Sequence, residues 1–147
     1  MAGQTPKAIA WKAPERISAL FPTNAAILTS PNTTIFIADA DYEVESVSEV
    51  HETLGTDGGA VTLDCVKCTG TQAASAGATV LSSTFNLKAT INTVVRKDVS
   101  SGTLVGLGSR MLAKGDRLAL LFTGTLTALT GVCVEVILKP IKKKPRW

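Results

Sequence analysis

Residues 114–138 constrain the fold more than any other stretch of the chain, because they have the pattern of two β-strands joined by a turn. Gly115 and Asp116 are turn-forming residues. The short, almost continuous apolar run at 117–122 is typical of a strand that is buried on both faces. In residues 132–138 valines recur at every second position, which favours a pleated sheet over a helix. We predict that these strands form a hairpin, and that the earlier strands pair with it or pack over it.

The residues that come before this stretch predict further strands. Clear strand patterns occur at 33–38, 42–51 and 60–68, and weaker ones at 85–89 and 93–96. Clusters of glycine, aspartate and serine separate them, as turns do. Short strands alternating with turns are typical of an all-β fold. We therefore predict an antiparallel β-sandwich or jelly roll of about 7–8 strands.

Residues 42–51 alternate as a strand of an antiparallel sheet does when one face meets solvent. One face has Tyr42, Val44, Ser46, Ser48 and Val50, and the other has Glu43, Glu45, Val47, Glu49 and His51. Because the second face carries the charges, we predict that it is solvated. His51, the one histidine of the chain, is then a solvated or simply hydrogen-bonded side chain.

Composition limits the class of protein. The 147 residues match the usual size of one domain. Charged residues make up only 18% of the chain, which suits a surface that is partly buried in an assembly. No apolar run is long enough for a transmembrane helix, and the first residues lack the apolar core of a secretory signal. Three cysteines form no disulfide framework and suit a reducing compartment.

The net charge of +3 is unevenly distributed. It is +2 over residues 1–34, −4 over 35–138 and +5 over 139–147. Charged ends of this kind are often interaction segments. The predicted parts are an extended Pro-rich N-terminal arm (1–33), a β-sandwich domain (34–141) and a short basic C-terminal tail (142–147).

The N-terminal arm holds four prolines, each of which favours extended geometry in the residue before it. Residues 13–21 have the pattern of two helical turns, with Pro14 at the first helical position and Pro22 ending the run. Two roles for the arm stay open: it folds back onto its own domain, or it docks on a neighbouring subunit. The candidate interaction residues of the arm are Trp11, Ile17, Leu20 and Phe21.

The C-terminal tail combines positive charge with an aromatic ring. Its candidate interaction residues are Lys142, Lys143, Lys144, Arg146 and Trp147. Such a segment suits a nucleic acid, which it would bind by charge and stacking, or an acidic protein surface. In an assembly of protein subunits we favour the acidic protein partner over nucleic acid, and a simply solvated tail stays open.

We expect no enzymatic activity, no catalytic residue and no cofactor. A Ser-His-Asp arrangement would need His51 as its base, and no nucleophile signature surrounds it. Cys65 and Cys68 have the spacing of half a zinc site, and Cys133 and His51 would complete four ligands. Residues three apart on a strand point to opposite faces, however. We therefore predict small buried apolar cysteines and no metal site.

Three runs of the sequence resemble a group of small virion proteins of tailed bacteriophages. They are HETLGTDGGAVTL at 51–63, LSSTFNLK at 81–88 and GDRLALLFTGTL at 115–126. The resemblance covers residues 34–141 and leaves out the N-terminal arm and the basic tail. These runs have the character of turns and strands rather than of a reactive site.

The resemblance implies a structural protein of the phage head, made in the host cytoplasm. We expect a capsid decoration (cement) protein on the outer surface of the head. It would form a homotrimer and clamp neighbouring subunits of the major capsid protein, with no membrane contact. Two alternatives stay open: a head-fibre base or tail-associated subunit, and a nucleic-acid-binding module that uses the basic tail.

Overall fold

The computed structural model describes residues 14–21, 32–56 and 58–142, in which ten strands form two antiparallel sheets. Sheet A contains β1 (Glu15–Phe21), β3 (Tyr42–Val50), β7 (Val95–Asp98), β8 (Met111–Leu112) and β10 (Val132–Pro140). Sheet B contains β2 (Asn32–Ile37), β4 (Thr62–Cys68), β5 (Ala78–Thr79), β6 (Phe85–Asn86) and β9 (Arg117–Thr123). The helical segments in these ranges are a 3-10 turn at Ala74–Ala76 and helix α1 at Leu107–Arg110. Neither is long or apolar enough to cross a membrane.

The strand order is that of a jelly roll. Sheet A runs β1-β10-β3-β7, with β8 also paired to β3, and sheet B runs β2-β9-β4-β5, with β6 also paired to β4. The first strand therefore pairs with the last, and the second with the next to last. The chain changes sheet from β1 to β2, β2 to β3, β3 to β4, β6 to β7, β8 to β9 and β9 to β10. The predicted all-β sandwich or jelly roll is confirmed, with jelly-roll connectivity.

Strands β9 and β10 occupy interior positions in the two sheets, but the predicted hairpin is wrong. β9 pairs with β2 and β4, whereas β10 pairs with β1 and β3. The reason is that residues 124–131 cross from one sheet to the other. Gly124 (φ +96°) and Gly131 (φ +64°) lie in the backbone region that favours glycine. A Cβ at Gly124 would overlap the carbonyl oxygen of Ala60, so the crossing needs glycine there.

The main core lies between the inner faces of the sheets, and a second cluster covers the outer face of sheet B. In that cluster Val66, Cys68 and Ala119 are buried, with Ala74 and Leu121 packed against them. Ala74 belongs to the 3-10 turn, which contacts β2, β4 and β9. The turn explains why the run at 117–122 is apolar on both faces, as the sequence predicts.

A β-bulge in β3 reverses the faces predicted for residues 46–51. Leu138 pairs with Val44 and Ile137 pairs with Ser46, so Glu45 is an extra residue on β3. Because side chains alternate along a strand, one extra residue moves every later side chain to the other face. The residues that turn inward beyond the bulge are Val47, Glu49 and His51. The predicted solvated face is therefore wrong for these three.

Hydrogen bonds from two other segments hold the bulge. The carbonyl oxygen of Val44 accepts from Nη1 of Arg110 at 3.4 Å, and that of Glu45 accepts from the backbone N–H of Val99 at 3.2 Å. The Arg110 guanidinium also forms an ion pair with Glu43 and donates to the carbonyl of Val105 at 3.1 Å. Arg110 thereby connects α1 to the irregular part of β3.

Strand β1 lies within the predicted N-terminal arm, where the pattern of 13–21 predicts two helical turns. The helix prediction is wrong, because Glu15–Phe21 is a strand that pairs along its full length with β10. The pairing satisfies backbone groups that β10 would otherwise leave free at a sheet edge. This part of the arm therefore folds back onto its own sandwich.

Three stretches that are distant in the sequence meet at one corner of the sandwich, which we call the loop corner (the described residues 52–56 and 58–61, with 86–88 and 124–131). The backbone N–H of Gly55 donates to the carbonyl of Leu87 at 2.8 Å, and that of Leu87 donates to Val61 at 2.9 Å. Nζ of Lys88 donates to the carbonyl of Gly59 at 2.9 Å. Together with the contact between residues 60 and 124, these bonds fix how the loops lie on the sheets.

Candidate interaction surface

The outer face of sheet A carries a shallow groove next to the strand that comes from the arm. The groove has a volume of about 290 Å³ and runs over β3, β10 and the start of β7. It is lined by Ser48, Glu49, Val50, Val94, Arg96, Cys133 and Glu135. On β1, Leu20 pairs with Cys133 and Ser18 pairs with Glu135. Strand β1 therefore borders the same face of the sheet as the groove.

The groove has an apolar centre and a charged rim. The small side chain of Ser48 forms its floor. Ser48 lies between the longer side chains of Arg96 on β7 and Glu135 on β10, with which it is paired. Val94, Val50 and Cys133 supply the apolar part, and Val94 is 66% exposed. On the rim, Arg96 donates to Asp98 at 3.2 Å and Arg16 lies 3.7 Å from Glu135. An apolar centre with charges around it is typical of protein interaction surfaces.

Exposed apolar side chains also occur on the loops that follow β3 and precede β7. Leu54 and Ile91 are 42% and 43% exposed. Their loops are joined, because the N–H of Asn92 donates to the carbonyl of His51 at 2.8 Å and the loop of Leu54 bonds Leu87 through Gly55.

Beyond Arg96 the outer face becomes polar. A second concavity is lined there by Glu43, Glu45, Arg96, Asp98, Val99, Ser100 and Lys139. The Asp98 carboxylate accepts from the N–H of Ser101 at 2.7 Å and from the hydroxyl of Ser100 at 2.9 Å. These bonds, with a further one from Arg96, hold the pKa of Asp98 below its usual value. Asp98 thus organises the turn that follows β7.

Glu49 and His51 form a buried polar pair under the loop corner. Nδ1 of His51 lies 3.0 Å from Oε2 of Glu49, and the two side chains are 0% and 1% exposed. Burial raises the pKa of the Glu49 carboxyl, and the bond to His51 opposes that rise. Of the two roles predicted for His51, the solvated one is therefore wrong, and the side chain is hydrogen-bonded instead. Cys133 was considered as a zinc ligand together with His51, but it lies on the opposite face of sheet A.

The cysteines lie in three different environments. Cys65 is fully buried in the main core, and Cys68 is buried in the cluster on the outer face of sheet B, as strand spacing predicts. Cys133 is partly exposed in the groove. Burial raises the pKa of the Cys65 thiol, and the nearby Asp64 adds to the rise. Among the described residues, no three His, Cys, Asp or Glu side chains gather as metal ligands would.

The different thiol environments predict selective labelling. We expect a thiol reagent to modify one cysteine per folded chain rapidly, because Cys133 is the accessible one, and all three in denaturant. The variant Cys133→Ser should lose the fast reaction, as followed by absorbance and mass spectrometry. Fast modification of Cys65 or Cys68 in the folded variant would contradict this placement.

The structure reaches only some of the interaction residues predicted from the sequence. The backbones of Ile17, Leu20 and Phe21 lie in β1, and their side chains are outside the description. Lys142 is exposed just after β10. The predicted residues that lie outside the described ranges are Trp11, Lys143, Lys144, Arg146 and Trp147.

The groove residues Val50, Val94 and Cys133 are not among the interaction residues that the sequence patterns predict. The sequence predicted a strand at 93–96, whereas β7 begins at Val95 and leaves Val94 on the preceding loop. A weak signal was available: Cys133 alternates with the buried valines of residues 132–138, which places it on the outer face. The pairing of that face with Val50 depends on the bulge in β3, which the sequence pattern does not reveal.

Comparison with known proteins does not place the chain in a family. No model of a known protein family matches the sequence. No curated protein matches it closely enough to be called a relative.

Proposed function

We propose that this protein is a structural component of a tailed-phage head that decorates the outer surface of the shell. In this role it binds neighbouring subunits of the major capsid protein and clamps them together, and it acts as a homotrimer. The observation that carries the proposal is the position of β1. Strand β1 belongs to the Pro-rich arm and borders the exposed groove of sheet A. A strand of the arm and the groove thus lie side by side in the same sheet.

The loop corner supports the resemblance from which the proposal starts. The three runs at 51–63, 81–88 and 115–126 all contribute to that corner. Their bonds join Gly55 to Leu87 and Lys88 to Gly59, and Gly124 packs against Ala60. The runs are therefore parts of one structural unit. Since a fold by itself hosts many functions, the jelly roll adds compatibility with a capsid role and no more.

Binding to capsids that lack the protein tests the proposal. Such capsids can be prepared from a phage in which the gene for this chain has been deleted. We expect the wild-type protein to cosediment with them at saturating stoichiometry. The variant Val94→Glu places a charge in the groove and should weaken binding about tenfold or more, equivalent to about 1.4 kcal/mol. Absence of wild-type binding would contradict the proposed function.

A matched control comes from the opposite sheet. Ile37 lies on β2 and is 66% exposed, the same fraction as Val94. The variant Ile37→Glu therefore changes an equally exposed apolar side chain outside the groove, and we expect its capsid binding to stay within about twofold of wild type. Equal loss in both variants would show that the groove of sheet A is not the contact surface.

The basic tail defines a separate hypothesis. Residues 143–147 lie outside the described ranges, and nucleic-acid binding by the tail stays a prediction. Binding to DNA-free and DNA-filled capsids should be equal if the partner is protein. Binding to free DNA that weakens steeply with salt and disappears on deletion of 142–147 would favour the nucleic-acid-binding alternative.

A further inference from the structure

We propose that Glu49 and His51 form a proton-binding site in the core that retains a single proton and so places maximal stability at mildly acidic pH. The inference concerns the pair itself and does not depend on the proposed role in a phage head. It rests on the burial of both side chains, on their mutual hydrogen bond and on the apolar character of their surroundings.

Among the described residues, those that pair with Glu49 or face it across the core carry no second charge to balance an ion. Glu49 is paired with Val134 of β10 and Val95 of β7. The core residues of the opposing strands β4 and β9 are Leu63, Cys65, Leu118, Leu120 and Phe122. Among these core residues the titratable group is the Cys65 thiol, and burial keeps it protonated by raising its pKa.

Charged and titratable groups on the adjoining elements are engaged elsewhere. On β7, Nζ of Lys97 donates to the hydroxyl of Ser83 at 2.8 Å. Arg96 and Asp98 of β7 pair with each other on the outer face, as does Glu135 of β10 with Arg16. Tyr42 on β3 donates to Asp39 at 2.6 Å at the far end of the strand. Glu52 follows the pair in the chain, and its side chain lies against Gly131.

The two atoms that do not join the pair lack a stabilising contact. Within the described ranges, Oε1 of Glu49 and Nε2 of His51 are buried and have no hydrogen-bond partner. A buried carboxylate or imidazolium needs a counter-charge and hydrogen bonds to offset desolvation. The pair therefore favours states of zero net charge, in which carboxyl and imidazole together hold one proton. The raised pKa of Glu49 agrees with this preference.

The unfolded chain holds a different number of protons. An unperturbed glutamate binds its proton below about pH 4.3, and an unperturbed histidine loses its proton above about pH 6.5. Between these values the folded and the unfolded chain both hold one proton at this pair, so stability is flat. Above about pH 6.5 the unfolded chain holds fewer protons than the folded one, and stability falls as pH rises. Below about pH 4.3 the unfolded chain holds more, and stability falls as pH falls.

Two single variants convert this scheme into different pH profiles. In Glu49→Gln a neutral imidazole stays buried, so the unfolded chain takes up an extra proton below about pH 6.5, and stability rises with pH up to that value and is flat above it. In His51→Gln the carboxyl stays protonated when folded, so stability falls from about pH 4.3 upward. The double variant Glu49→Gln/His51→Gln removes both titrations and serves as the reference.

The test is urea unfolding followed by circular dichroism at pH values from 5 to 8, with each profile taken relative to the double variant. Asp98 titrates below this window in the unfolded chain and Cys65 above it, while subtraction removes the contribution of Asp64. We expect the wild-type unfolding constant to rise about tenfold per pH unit above about pH 6.5. For Glu49→Gln we expect the unfolding constant to fall about tenfold for each unit by which the pH rises toward about 6.5, and to be constant above that value.

Two results together would support the proton-binding site: a wild-type unfolding constant that rises with pH above about pH 6.5, and a Glu49→Gln constant that falls with rising pH below that value. Parallel profiles for these two proteins would overturn it, as would wild-type stability that increases from pH 5 to pH 8. If Glu49→Gln does not fold, His51→Gln decides in its place: a steady fall across the window supports the site, and a flat profile overturns it. Capsid binding plays no part in these outcomes, so they are independent of the proposed function.

Discussion

Replacing Gly124 with alanine is expected to lower the free energy of unfolding by about 3 kcal/mol. Two effects add at this position. The φ angle of +96° is strained for any residue with a side chain, and the new Cβ would overlap the carbonyl oxygen of Ala60. The backbone at residue 60 belongs to the loop corner and cannot move without disturbing the start of β4. Urea unfolding by circular dichroism would report the loss as a lower midpoint with little change in slope.

A second glycine separates backbone strain from the steric clash. Gly102 has a φ of +68°, and a Cβ there meets no atom within 4 Å. Gly102→Ala should therefore cost only the conformational term, about 1 kcal/mol. Equal destabilisation by the two substitutions would show that the contact with Ala60 contributes nothing. A stable Gly124→Ala protein would contradict the crossing loop as the structure describes it.

Replacing Arg110 with alanine is expected to cost about 2–3 kcal/mol of stability. The side chain is 11% exposed and the Glu43 carboxylate that it pairs with is 23% exposed, so both are largely shielded from water. The substitution also leaves the carbonyls of Val44 and Val105 without this donor. Because Val44 adjoins the bulge at Glu45, we expect amide hydrogen exchange in β3 to speed up as well.

The exposed pair on the same sheet supplies the control for Arg110. Arg96 is 50% exposed and lies 3.2 Å from Asp98. Solvent screens such a pair, and Arg96→Ala should cost less than about 1 kcal/mol. If Arg110→Ala were as mild as Arg96→Ala, the ion pair with Glu43 would not be what holds α1 to β3.

The sequence predicted the fold where a local pattern and the tertiary structure agree. The alternating valines of 132–138 and the apolar run of 117–122 became β10 and β9, each in the interior of a sheet. Two apolar strands joined by eight residues look alike whether they pair or cross between sheets, so the hairpin prediction failed. What separates the cases is the contact between Gly124 and residue 60, which is distant in the sequence.

Long-range pairing also explains the other errors. The pattern at 13–21 suits a helix locally, but β10 offers a full strand of backbone partners to those residues. In β3, the extra residue Glu45 is visible only as a register shift against β10. That shift moved Glu49 and His51 from the solvent to the core, and it left Val50 on the outer face beside Cys133. Neither the buried pair nor the groove could therefore be read from alternation alone.

Cryo-electron microscopy of capsids that have been saturated with the purified protein tests the central claim most directly. The proposed function predicts added density on the outer surface of the shell, in threefold clusters where subunits of the major capsid protein meet, with the groove of sheet A facing the shell. Density confined to a vertex or to the tail would favour a head-fibre or tail role. Density on the inner surface, or none at all, would contradict a decoration protein.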